Sequence, residues 1–335
     1  MDRIRLLALL ILAAVSCGDD NGRTITVATP FGPLAYPLVY MKEHSPLAGR
    51  LQLAVWKSPD QLRAMIGGGQ ADYYALPVNV AALYHTRGED IVLADVSIWG
   101  VLWVVSTDST KRRIEDFRGG TVMTPFRGNV PNLVFVRLAR EAGMEIGRDI
   151  TLTYAKTPFD AIQQLLTGHV ENAVLSEPEC SILLHRAESL RADDPALPSF
   201  YRAVDIQETW GRLFDTVPEI PLGGLAASSE TLSDRMLTMP FLDEYRRATE
   251  WCAVHPEETG ALVAQYFEGI DAEPVVEAAR HIRQHSADAV STRPAVEAFL
   301  SLFLESNPES VGGALPGDSF YFDSRGQTRT PDTRN

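Results

Sequence analysis

Residues 158–178, PFDAIQQLLTGHVENAVLSEP, decide the fold class. Pro158–Thr167 reads as a helix, Gly168 lies in the short link after it, Val170–Leu175 reads as a strand, and Glu177-Pro178 closes that strand. Working back, Ile150–Tyr154 and Thr121–Thr124 are strands, Val130–Ala142 is a helix, and Lys111–Phe117 is a short charged helix before Arg118-Gly119-Gly120. Trp99–Ser106 is a long apolar strand. The N-terminal part runs in the same order. Strand Thr24–Ala28 leads through the turn Thr29–Pro33 to a helix around Ala35–Lys42, then to strand Leu51–Trp56. A helix follows, with Ser58 as cap and Pro59 at its first position, and stops at Gly67-Gly68-Gly69. Strand Asp72–Ala75 and helix Val78–Tyr84 complete the set. Alternation of strand and helix through short links marks α/β layering with a largely parallel sheet. Beyond strand Gly223–Ser228 the pattern is helical: Leu232–Val254, Pro256–Phe267, Glu273–His285 and Pro294–Glu305.

The chain opens with Arg3 and Arg5 ahead of an unbroken apolar run, Leu6–Val15, that stops at Ser16-Cys17. A basic head, an apolar stretch and a small-residue cleavage region are the parts of a secretory signal. The run is too short for a bilayer span, which needs roughly 20 residues. With Cys17 at the first mature position the segment resembles a bacterial lipoprotein signal, in which the cysteine is lipidated; Ala14 departs from the Leu usual there. The rest of the chain is then expected outside the cytoplasm, at the extracytoplasmic face. The 335 residues are 45% hydrophobic and 22% charged, enough for a real core, and carry a net charge of −14. That balance excludes nucleic acid and docking on anionic lipid as partners. Cys180 and Cys252 are expected as separate buried thiols. There is no Cys-x-x-Cys, and neither a metal nor a cofactor is expected.

The segment from Phe117 to Pro178 resembles the second lobe of periplasmic substrate-binding proteins of ABC importers, of the nitrate/sulfonate/taurine and thiamine-precursor group. The resemblance lies in FRGGTV (117–122), RLAREAGM (137–144), DITLTY (149–154), DAIQQLLTGHVENAVL (160–175) and SEP (176–178), with Asn172 where the group has Asp. GGGQAD (67–72) and the helical C-terminus also fit. The resemblance implies an α/β, two-lobe (type II) periplasmic binding protein with mixed sheets flanked by helices and a helical C-terminal region. Signal 1–16, tether 17–23, first lobe 24–103 and 223–322, second lobe 104–222 and a disordered tail from 323 to 335 are the expected divisions. Trp99–Ser106 and Gly223–Ser228 are placed as the crossings between lobes.

By position in that group, the ligand contacts fall on loops after strands. Thr29, Phe31 and Gly32 follow the first strand in a rigid, apolar turn. Tyr74 and Leu76 end the third strand, where one of Tyr73 and Tyr74 faces inward, toward either core or ligand. Trp99 sits at the first crossing and can stack on a ligand or pack the hinge. Thr124, Phe126, Arg127 and Asn129 form the second-lobe loop. Arg127 is the anion partner or a solvated loop residue, and Thr124 and Asn129 are ligand contacts or helix caps. Glu177 accepts from a ligand amine or fixes the hinge. Four aromatic rings would favour an apolar or aromatic molecule with a polar end over bare nitrate. The implied function is ligand delivery to an ABC permease and its ATPase, by a monomer tethered to the membrane through a lipid anchor. The chain has no G-x-S-x-G, H-E-x-x-H or phosphate loop and its seven His residues pair with no nucleophile, so an enzyme is not expected. A binding-protein-like sensor, or an enzyme of the same fold in pyrimidine or menaquinone precursor metabolism, are the alternatives.

Overall fold

The structure is a computed structural model that describes residues 22–326. The expected signal 1–16, the lipidation residue Cys17, most of the tether and residues 327–335 of the expected tail lie outside the described residues.

The chain builds one sheet, crosses to a second, and returns. β1 (Ile25–Thr29), α1 (Tyr36–His44), β2 (Leu51–Val55), α2 (Pro59–Gly67), β3 (Tyr73–Pro77), α3 (Val78–Thr86) and β4 (Val92–Gly100) begin the first sheet and its helices. β5 (Leu102–Ser106), β6 (Thr121–Pro125), α4 (Val130–Glu141), β7 (Thr151–Ala155), α5 (Pro158–Leu166), β8 (Asn172–Ser176), α6 (Glu179–Asp193), β9 (Tyr201–Asp205) and α7 (Ile206–Phe214) make the second. β10 (Gly223–Ala227) re-enters the first sheet. It is followed by α8 (Ser229–Ser233), α9 (Arg235–Val254), α10 (Pro256–Tyr266), α11 (Ala272–Ala279), β11 (Arg283–Asp288) and α12 (Ala289–Ser306). The strand orders are β11-β4-β10-β3-β1-β2 and β7-β6-β8-β5-β9. β1 is parallel to β2 and β3, and β6 to β7 and β8, whereas β10 runs antiparallel to β3 and β4, and β5 to β8 and β9.

Local chemistry sets these elements. The Ser58 hydroxyl accepts from the Gln61 amide with Pro59 in the first turn, as the sequence predicts, and Thr157 does the same for Asp160 at the start of α5. β4 is buried at every position, as a strand covered on both faces must be.

The structure departs from the sequence reading in the crossings. The strand expected over Trp99–Ser106 breaks at Val101, so that Gly100 closes β4 in one sheet and Leu102 opens β5 in the other. A break exposes backbone groups that need partners, and the buried Gln207 side chain supplies them. Its carbonyl oxygen accepts from the amides of Val101 (3.2 Å) and Leu102 (2.9 Å), and its amide nitrogen donates to the Leu102 carbonyl (3.0 Å). The Val101 carbonyl accepts from the Glu177 amide at 2.8 Å. The return crossing is made by residues 206–222, not by the strand at 223–228, which belongs to the first sheet. At Gly224 the strands approach so closely that a Cβ would stand 1.9 Å from the Asp95 carbonyl oxygen, so only glycine fits.

Two other differences concern polar segments. The helix expected at Lys111–Phe117 is a single 3-10 turn, Ile114–Phe117, fixed by Asp116 accepting from the amides of Arg112 and Arg113. The helix expected at Glu273–His285 divides into α11 and the edge strand β11. β4, β9, α6 and α7 were not anticipated as elements. Cys180 and Cys252 are free and buried, as expected.

Candidate functional site

A cavity of about 200 Å³ lies between the two sheets. One wall is the Pro30–Leu34 loop after β1, with Pro77 at the end of β3. The floor is the crossing backbone: Ile98, Val101 and Leu102 on the outward pass, Leu222 and Gly223 on the return. The opposite wall is Val130 and Pro131 at the start of α4, and Ser176, Glu177, Pro178 and Glu179 between β8 and α6. β1, β3 and β8 thus deliver their carboxyl ends, where α/β proteins place ligand sites.

Gly32 joins the walls. Its φ of 129° is open to glycine and not to residues with a Cβ, and the nearest atom to a Cβ placed there would be Cδ of Pro178 across the cleft, at 4.0 Å. The Glu177-Pro178 peptide is cis. Phe31 packs edge-on to Phe267 at 5.2 Å, which turns the loop inward.

The two carboxyls of the far wall differ. Glu177 is buried and fully engaged. One oxygen accepts from Nε of Arg202 at 2.9 Å, the other from the Ser181 amide (3.1 Å) and hydroxyl (2.7 Å). Arg202 also donates to the Ser181 hydroxyl at 2.6 Å and reaches Glu277 of α11 at 3.5 Å. Glu179 is half-buried on the cavity, and its carboxyl accepts from the Ser176 hydroxyl at 2.9 Å. Burial pushes it up to about 7, against its own amide and Ser176, with the Glu177 charge adding to the rise. The buried phenol of Tyr36, at the start of α1, has no hydrogen-bond partner; burial raises it well above its usual value, and Glu177 and Glu179 contribute.

Of the residues singled out in the sequence, Phe31, Gly32 and Glu177 line the cavity. Thr29 is buried beside it and donates to the Pro30 carbonyl at 3.2 Å; Leu76 is buried one residue before the lining Pro77. Thr124 is buried at the end of β6 with its hydroxyl unpartnered. These three and the other five do not line the cavity. Tyr74 is committed to the core, its hydroxyl donating to the Met65 carbonyl (3.1 Å) and accepting from the Ala71 amide (3.3 Å). Trp99 packs the hinge, stacked on His285 at 4.8 Å and donating to its carbonyl at 3.0 Å. Phe126 holds a left-handed φ of 50° in the β6–α4 loop. The exposed Arg127 lies over the Tyr154 ring, 5.4 Å from its centre. Asn129 takes the N-cap position of α4 without a side-chain cap bond.

Sequence reasoning missed Glu179, Arg202 and Gln207. Glu179 was within reach of it, as the second acid of SEPE. Arg202 and Gln207 stand 25 and about a hundred residues from their partners, so no local pattern marks them.

Among the described residues no helix is long and apolar enough to cross a membrane, and no group of three or more His, Cys, Asp or Glu is arranged to hold a metal. The sequence matches no protein-family model and no curated protein. Solved structures do match. An ABC transporter protein from Parabacteroides distasonis superposes with a TM-score of 0.74 at 23% identity, over 90% of this chain and 99% of that one. The periplasmic aliphatic sulphonate-binding protein of Escherichia coli gives 0.66 at 17% identity, over 87% and 96%. The fold is that of the type II periplasmic binding proteins. The periplasmic nitrate-binding protein of Synechocystis, at 0.66 and 13% identity over 86% and 82%, shares it. The two sheets are therefore the cores of two lobes, and the cavity lies in the interlobe cleft.

Proposed function

We propose that the chain is the extracytoplasmic solute-binding component of an ABC importer, capturing a small organic ligand between its lobes and delivering it to a permease and its ATPase. The observation that carries this reading is the cleft: an apolar cavity walled by both lobes and floored by the two crossings. Rotation about Val101–Leu102 and the 206–222 return would move the lobes while leaving each sheet intact. A ligand that touches both walls then favours the closed form by its extra contacts there. The likeness of fold to periplasmic sulphonate- and nitrate-binding proteins supports the same reading.

In this proposal the lobes comprise 24–103 with 223–322, and 104–222, and Phe31, Gly32 and Glu177 are contacts or direct supports of the ligand. The N-terminal sequence supports lipidation at Cys17, which would hold a monomeric binding protein beside its permease at high local concentration. Cys17→Ser should then release soluble protein from the membrane fraction. Thermal-shift screening of the chain against sulfonates, pyrimidines, carboxylates and amines tests the binding function. A stabilising ligand that is recovered unchanged supports it, and conversion of that ligand to product overturns it. One feature favours a second reading, an enzyme of the same fold: a carboxyl pushed up to about 7, as at Glu179, is suited to general acid catalysis.

A further inference from the structure

We propose that the cleft selects a small organic cation, an apolar body bearing one protonated amine or amidine nitrogen that pairs with the carboxylate of Glu179, and rejects anions. The inference rests on the binding function proposed above and names its ligand class.

Anions are held in such clefts by free N–H groups at helix starts or by cationic side chains. Here the helix starts on the cavity are built from proline. Pro33 opens the 3-10 turn ahead of α1, Pro131 is the second residue of α4, and Pro178 is the N-cap of α6. Each removes an N–H and offers a ring face in its place. Glu179 is the first residue of α6, so that helix end already has a carboxyl of its own chain beside it. Among the described residues, no Lys, Arg or His lines the cavity. Arg202 is engaged by Glu177, Ser181 and Glu277, and Arg127 lies over Tyr154.

A cation is the complement of what remains. Glu179 receives hydrogen bonds from the Ser176 hydroxyl and its own amide and, among the described residues, no ion pair. A protonated nitrogen placed beside it would keep Glu179 ionised and form a charge-assisted hydrogen bond in a poorly solvated site. The rest of the lining is aliphatic, proline and Phe31, which accepts the apolar body, and a cavity of about 200 Å³ limits that body to the scale of a single ring.

The test is calorimetric titration of the full chain with benzylamine, benzyl alcohol and phenylmethanesulfonate, which share a body and differ in charge. Benzylamine should bind best and the sulfonate worst. Glu179→Gln should weaken benzylamine about tenfold or more while leaving benzyl alcohol unchanged. In the unmodified chain, benzylamine affinity should fall between about pH 8 and pH 5.5, as Glu179 protonates, and benzyl alcohol affinity should not. The titratable groups facing Glu179 are Glu177, already paired with Arg202, and the Tyr36 phenol and Cys180 thiol, which burial keeps protonated throughout. This pH series decides the matter even if the variant fails to fold. Tighter binding of the sulfonate, no binding by the amine, or an amine affinity indifferent to both Glu179→Gln and pH overturns the ligand class. Sulfonate binding with closure of the lobes would do so while sparing the delivery function. Amine binding without closure would sink delivery and leave the ligand class standing.

Discussion

The two walls of the cleft differ in chemistry. The first-lobe wall, Pro30–Leu34 with Pro77, carries no ionisable side chain and is stiffened by proline, so it can specify only shape. The second-lobe wall carries both carboxyls, and it spends them differently. Glu177 is consumed by Arg202 and Ser181 and secures the wall, whereas Glu179, two residues on, lines the cavity with only the Ser176 hydroxyl and its own amide as partners among the described residues. Under the proposed binding function, two acids separated by one proline would thus have structural and recognition roles set by their partners.

The largest expected effect removes the structural half of that wall. Arg202→Ala would strand the Glu177 carboxylate among buried groups, where an unpaired charge costs about 3–5 kcal/mol, and chemical denaturation should read a loss of that size. Gly32→Ala breaks the opposite wall through backbone strain: a φ of 129° should cost about 2 kcal/mol, measured the same way. Phe31→Ala should do the converse of Arg202→Ala, weakening a ring-bearing ligand about tenfold in a titration with a smaller change in stability.

A subtler effect is the pH dependence of the unliganded protein. Burial raises Asp95, in β4 of the first sheet, to about 7, opposed by the Ser286 hydroxyl at 2.5 Å; Glu179 stands at a similar value. Both return to ordinary carboxyl values on unfolding, so between the two values the folded chain binds more protons. Stability should therefore rise as pH falls from about 8 towards 5, and Tm should climb by about a few degrees. Glu179→Gln should remove the second-lobe share of that slope and leave the Asp95 share. The smallest effect is expected at Arg127→Ala, which removes a guanidinium stacked on an exposed ring and should alter neither Tm nor ligand affinity.

Legibility in the sequence followed the same divide between local and distant partners. The elements from β6 to β8 are read within two residues of their ends, because capping, glycine stops and β-branched runs are local signals. β11, RQHSAD, has no β-branched residue and no more than half-buried side chains; only its pairing with β4 makes it a strand. β4 escaped because Asp95 and Ser97 interrupt a strand, and their partners, Ser286 and Tyr245, lie about 150 residues or more away. At the cleft, the Pro-Phe-Gly-Pro loop and the Glu-Pro close of β8 were visible as patterns. Tyr74 and Trp99 are each open in the sequence between ligand contact and packing, and their hydroxyl and indole bonds, to Met65 and His285, fix them in the core and the hinge.

The central claim is that the cleft is a binding site that closes. Lys57 and Lys156 are exposed just beyond β2 and β7, one on each lobe, and Cys180 and Cys252 are buried. Spin labels on Lys57→Cys and Lys156→Cys, in a Cys17→Ser background, would report the interlobe distance by electron-electron double resonance. The account predicts a shorter, narrower distance distribution on saturation with ligand; a distribution unchanged by a ligand that demonstrably binds would contradict it.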